Sequence, residues 1–226
     1  MRRGFVFIAL VTGLFLLVWP RSASAQVSIW LKKGVSGAGV SGLFAYNEDQ
    51  TTYGVNGGYS VQGYLDLDLT IAYLEFPDDE LPADLIGLAL APRVELHPLK
   101  QGPGMPISLG LGGGITVFGF ASDELEQRNA EIESYNVNAD VSLYRFFRLS
   151  SNFGVSPAVG AGFVHTELTV TQFGDQETAT DDAFSFQVGS YLAYLDPGGR
   201  IWGIAPQVSI GEIVTVALRA GLVWTL

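Results

Sequence analysis

The sequence predicts an all-β protein: an antiparallel up-and-down transmembrane β-barrel of about ten strands, with eight as the runner-up count, preceded by a signal peptide. Three observations carry this. The stretch YLDLDLTIAY (residues 64–73) alternates with period two. Leu65, Leu67, Leu69, Ile71 and Tyr73 share one face, and Tyr64, Asp66, Asp68, Thr70 and Ala72 share the other, as in a strand with one apolar face. Across the chain the polar faces carry Gly, Ala, Ser and Asn rather than Lys or Glu. That suits a narrow barrel interior better than a sheet facing water. Links between strands alternate between acidic and short or mildly basic, as loops and turns do at the two ends of a membrane barrel. On this reading the leucines of 64–73 face lipid and the aspartates face the lumen.

At the N-terminus, Arg2 and Arg3 precede an apolar stretch over 4–19, and Ala23, Ser24 and Ala25 supply small residues for cleavage. Residues 1–25 therefore read as a secretory signal peptide, 26–34 as an N-terminal periplasmic segment and 35–226 as the barrel. The chain is 48% hydrophobic and 15% charged, against about a quarter charged in ordinary soluble domains. It has no cysteine, so disulfides cannot hold the strands, and a closed hydrogen-bonded ring can. Loss of Arg2, Arg3 and Arg21 with the signal takes the net charge from −11 to −14. That balance argues against a nucleic-acid partner, which needs a basic patch.

Alternation places strands over 37–46, 52–61, 64–76, 85–97, 107–120, 135–147, 153–170, 184–195, 201–210 and 213–226. The links 47–50, 77–84, 122–134 and 174–182 hold fifteen acidic residues against Arg128 alone. The opposite links carry Lys100, Arg148 and Arg200 against Asp196. In an up-and-down meander alternate links share an end, so one end is strongly acidic and the other mildly basic. Outside the signal, only 122–134 has a pattern that admits a helix. Tyr46, Tyr53, Tyr73, Phe76, Tyr135, Tyr144, Tyr194, Trp202 and Trp224 fall near strand ends, where interfacial aromatic girdles are expected.

The last strand places Val214, Val216, Leu218, Ala220, Leu222, Trp224 and Leu226 on one unbroken apolar face. With this strand and the architecture above, the chain resembles the OmpA-like small outer-membrane β-barrels of Gram-negative bacteria, in the outer membrane protein beta-barrel domain superfamily. The resemblance implies a monomer in the outer membrane, in contact with lipid and lipopolysaccharide. It also implies that the C-terminal strand is read by the barrel-assembly machinery, and a structural, adhesive or small-solute porin-like role. The family prefers a terminal aromatic, whereas here Leu226 is last and Trp224 lies two before it.

With the leucines facing lipid, the ionisable residues pointing inward are Asp66, Asp68, Arg93, Glu95, Asp140 and Arg219. Pairing Phe76 with Leu85 sets Asp68 opposite Arg93 and Asp66 opposite Glu95. Buried charges need partners, so an internal network centred on Asp68–Arg93 is expected, acting as a plug or as a gate for small ions. Gly110, Gly112, Gly114, Gly154, Gly160 and Gly162 either leave a cavity or permit curvature and room for Phe118, Phe120 and Tyr191. His97 reads as a turn or interfacial residue. His165, on the outer face near Glu167, is a candidate for catalysis or metal binding. No Ser-His-Asp spacing or metal motif supports it, so no catalytic residue, metal or cofactor is expected. The alternatives are a barrel enzyme acting on lipid A or peptides, and a soluble periplasmic lipid-binding barrel with its leucines inward. The acidic loops could bind divalent cations or a basic partner, or be a solvated, self-repelling surface.

Overall fold

The computed structural model describes residues 31, 33–76, 85–127 and 129–226. The expected signal peptide, most of segment 26–34 and the 77–84 link lie outside these residues. In chain order the elements are β1 (Gly37–Tyr46), β2 (Thr51–Val61), β3 (Leu65–Glu75), β4 (Ile86–Leu99), β5 (Ser108–Ala121), α1 (Asp123–Gln127), β6 (Ala130–Tyr144), β7 (Phe147–Arg148), β8 (Phe153–Gln172), β9 (Asp175–Leu195), β10 (Arg200–Ile210) and β11 (Val214–Thr225). Successive long strands pair antiparallel, β1 also pairs β11, and β6 pairs β8. The ten long strands thus close into a ring, with the two-residue β7 bound to the foot of β8. The count is ten, not the alternative eight.

Each strand turns its apolar side outward. Leu67 and Leu69 are each 45% exposed, whereas Asp66 and Asp68 beside them are 0% and 7% exposed. Leu88, Leu90, Val94 and Leu96 of β4 are exposed around buried Ala89, Arg93 and Glu95. A barrel that carries lipid in its lumen needs the reverse polarity, so the soluble alternative fails. Two aromatic girdles ring the exterior. Tyr46, Tyr53, Tyr73 and Tyr135 sit towards the acidic-loop end, with Tyr53 opposite Tyr73. Tyr194, Trp202 and Trp224 sit towards the end that carries both ends of the barrel chain, with Tyr194 opposite Trp202. Two aromatics grouped with them by sequence turn inward instead. Phe76 packs against an apolar cluster in the lumen, and Tyr144 is buried because it shares the parity of Asn136, Asn138 and Asp140.

Two acidic links are more ordered than expected. Of link 174–182, residues 175–182 form not a loop but the start of β9, which pairs with β8 from Gln172↔Asp175 down to Phe153↔Tyr194. The reversal is a two-residue turn at Phe173 and Gly174, both with positive φ (53° and 90°), the geometry that matches strand twist. The outward face of β9 is apolar at Phe184, Phe186, Val188, Leu192 and Tyr194 but carries Thr178, Thr180 and Asp182 above them. Residues 184–194 cover the roughly 9–11 residues that a tilted strand needs to cross the hydrocarbon layer. The remainder of the hairpin projects into water, where acidic residues are tolerated. Link 122–134 divides into helix α1 and the first residues of β6. Ser122 caps α1, its Oγ accepting from Leu125 N at 3.1 Å.

Leu69 lies near the middle of the apolar belt. Leu69→Arg is expected to destabilise the barrel by about 2–4 kcal/mol in urea titrations from lipid vesicles. An unchanged midpoint would contradict the outward assignment.

Candidate functional site in the barrel lumen

The lumen has two halves. Towards the acidic-loop end it is apolar. Leu85, Leu125, Ile132, Leu168 and Val170 form one buried cluster, and Ala72, Leu74, Ala89 and Phe118 form a second. Phe76 and Phe120 pack against both, and the Phe118 and Phe120 rings stack with centroids 6.1 Å apart. The capped helix α1 delivers Leu125 into this plug.

Below it lies the charge network. All six sequence-predicted residues point inward there: Asp66, Asp68, Arg93, Glu95 and Arg219 are buried, and Asp140 is 10% exposed at its side chain. The predicted register holds, with Asp68↔Arg93 and Asp66↔Glu95 as strand partners. The predicted centre does not. Arg93 reaches away from Asp68, across β5 to β6. Its Nη2 lies 2.6 Å from Asp140 Oδ1 and donates to Asp140 Oδ2 at 2.8 Å, while Nη1 donates to Asn138 Oδ1 at 3.2 Å. Glu95 Oε2 lies 3.5 Å from the same guanidinium. Glycine explains the direction. A Cβ on Gly112 would meet the Arg93 guanidinium, with Cζ at 2.7 Å. A Cβ on Gly110 would collide with Glu95 Oε1 and Ser142 Oγ. These glycines therefore leave a track for ionised side chains, not the expected space for Phe118 or Phe120. Gly160 instead faces the Val141 carbonyl of β6, and Gly154 makes room for the Phe146 ring. Among the described residues Asp68 has no hydrogen-bond partner at either carboxylate oxygen, so it stands outside the Arg93 pairs.

The sequence reading missed the lower part of the site. His97 is not a turn residue. It is wholly buried, with Nε2 3.4 Å from Asp66 Oδ2 and 3.9 Å from Glu95 Oε1. Its Nδ1 is paired at 3.0 Å with the hydroxyl of Tyr144, whose ring meets it edge-on. The parity of Arg93 and Glu95 was the available signal. Pro98 suggested a strand end, yet β4 continues through Leu99, with Pro98 exposed on the outer side where its ring is tolerated.

Beneath Tyr144 the barrel opens into a cavity of about 1010 Å³ at the basic end, lined by Lys33, Tyr64, Lys100, Tyr144, Arg148 and Phe153 among others. Burial pushes the Lys100 ammonium down to about 8, against the pull of Asp66 and Glu95. On the exterior, His165 Nδ1 lies 2.7 Å from Asp182 Oδ1. Its expected neighbour Glu167 instead accepts from the Tyr135 hydroxyl at 2.7 Å.

No protein-family model matches the chain, and no curated protein matches it. Among solved structures, the translocator domain of the autotransporter NalP from Neisseria meningitidis is 8% identical with a TM-score of 0.52, over 99% of this chain and 98% of that one. The β domain of the Bordetella autotransporter BrkA is 12% identical with a TM-score of 0.50, over 84% of this chain and 99% of that one. The N-terminal β-barrel domain of Pseudomonas aeruginosa OprF is 13% identical with a TM-score of 0.35, over 85% and 98%. At such identities the likeness to NalP and BrkA is one of fold: the chain folds as an outer-membrane β-barrel.

Arg93→Ala strands Asp140 and Glu95 without their cation and is expected to cost about 3–5 kcal/mol of stability. Gly112→Ala is expected to cost about 1–3 kcal/mol by crowding the guanidinium. Gly57→Ala, whose Cβ would meet nothing within 4 Å, serves as the neutral control. Equal unfolding midpoints for the three would contradict the glycine-track account.

Because the pKa of Lys100 is lowered on folding, the folded chain binds fewer protons than the unfolded one between about 8 and 10.5. Lys100 therefore contributes stability that rises with pH through this window and is lost as pH falls through about 8. Reductive ¹³C-methylation followed by NMR titration should give Lys100 a midpoint near 8. A midpoint at the ordinary lysine value would contradict its burial.

Proposed function

We propose that the protein is a monomeric, OmpA-like outer-membrane barrel with a sealed lumen, acting as a structural and surface-displaying protein rather than as a channel or an enzyme. The observation that carries this reading is the filled interior. Asp66, Glu95 and His97 with Ser60, on the adjoining strands β2 to β4, and Ser156 on β8 are all 0% exposed. A water-filled pore would leave such residues accessible from inside. The apolar plug at the acidic end supports a second seal, since an ion crossing it would give up hydration without gaining ligands.

In this reading the lipid-facing belt anchors the chain, and the acidic rim stands above the membrane. There it forms a solvated, self-repelling surface. The apolar face from Val214 to Leu226 engages the barrel-assembly machinery during insertion. The exterior His165–Asp182 pair is assigned to strand pairing in the projecting hairpin, since these residues are register partners.

Planar-bilayer recording tests the proposal. The wild-type chain should give no reproducible conductance steps. Arg93→Ala should remain closed because the apolar plug is untouched. Steady unitary steps from the wild type would overturn the sealed-lumen reading.

A further inference from the structure

The β8–β9 hairpin leaves one stretch of sheet edge open. β9 pairs with β8 along its length but with β10 only over Phe186–Leu195. Among the described residues, 175–185 therefore have a strand on one side only. This is also the part of β9 beyond the apolar belt, and Gln176, Thr178, Thr180 and Asp182 are exposed. A flat edge of this kind presents unpaired N–H and C=O groups as a template for another strand. Several of the usual guards are missing. DQETATDDAFS contains no Pro and no Lys, and its register with β8 is unbroken by any bulge. The only deterrent is acidic charge.

That charge selects the occupant. Asp175, Glu177 and Asp181 share the inward parity of β9, flanking Ala179. A second copy of this chain would bring the same acidic edge against itself, and like charges on paired strands destabilise. An extended segment with Lys or Arg at alternate positions would place cations beside Asp175, Glu177 and Asp181. Its small or β-branched residues would lie beside Thr178 and Thr180. We propose that the edge 175–185 is a β-augmentation site for an extended basic polypeptide segment of another protein. Main-chain hydrogen bonds would supply the affinity, and the acidic face would supply the selectivity. The proposal holds whether or not the lumen conducts.

The test uses the full chain refolded in zwitterionic detergent micelles and fluorescent ten-residue peptides, read by anisotropy. The alternating Lys-Thr peptide should bind, and the alternating Glu-Thr peptide should not. N-methylation of alternate backbone nitrogens on the Lys-Thr peptide, which blocks strand pairing but keeps the charge, should weaken binding by roughly tenfold or more. The surface double variant Glu177→Gln/Asp181→Asn should weaken it by a similar factor while keeping the unfolding midpoint. Absence of binding by the Lys-Thr peptide would overturn the proposal. Equal binding of the N-methylated form would do so as well, because it would reduce the interaction to diffuse electrostatic attraction.

Discussion

The hydrogen bonds between β1 and β11, from Gly37↔Thr225 to Tyr46↔Val216, close ten long strands into a ring, and the other features of the molecule answer to that closure. In hydrocarbon no water is present to satisfy an unpaired N–H or C=O, so an open sheet cannot span a bilayer and a closed one can. Without cysteine, the ring is held by backbone pairing and by what fills it. Closure also inverts the ordinary polarity of a sheet. The leucines of β3 and β4 lose nothing by facing lipid, and the polar residues must satisfy one another inside.

That requirement accounts for the interior. An arginine in a narrow lumen is held best with carboxylates and amides at hydrogen-bonding distance. The distances of Arg93 to Asp140 and Asn138 meet this condition. A long side chain also needs a path, and β5 provides one by carrying glycine at 110 and 112, beside Glu95 and Arg93. At the other end the problem is solved differently. There Leu125, Ile132, Leu168 and Val170 exclude water instead of organising it. The boundary between the halves follows a change along β4 and β6, from small and apolar inward residues near the loops to charged and amide residues lower down.

The features legible in the sequence were those fixed by parity. Period-two alternation placed Asp66, Asp68, Arg93, Glu95, Asp140 and Arg219 inside, and one assumed pair, Phe76 with Leu85, set the β3–β4 register. The partner of Arg93 was not legible in this way. Which way a flexible guanidinium leans depends on the neighbouring strand two places along, and Gly112 decides it. His97 and Tyr144 had the right parity but were assigned by local chemistry, a following proline and a strand-end aromatic, that tertiary burial overrode. The limits of β9 show a further effect. Hydrophobic alternation marks where a strand meets lipid, so 184–195 was visible and the projecting 175–182 resembled an acidic loop. Hydrogen bonding to β8 continues there without the apolar face.

The central claim is that the exterior is lipid-facing and the lumen filled. The absence of native cysteine permits a direct measurement. Single cysteines at positions 66 to 71, spin-labelled in the vesicle-inserted barrel, report accessibility to oxygen, which partitions into lipid, and to a water-soluble nickel chelate. The account predicts high oxygen accessibility at 67, 69 and 71, and low accessibility to both reagents at 66 and 68. Strong nickel accessibility at 66 and 68 would contradict the filled lumen, and oxygen protection at 67, 69 and 71 would contradict the lipid-facing exterior.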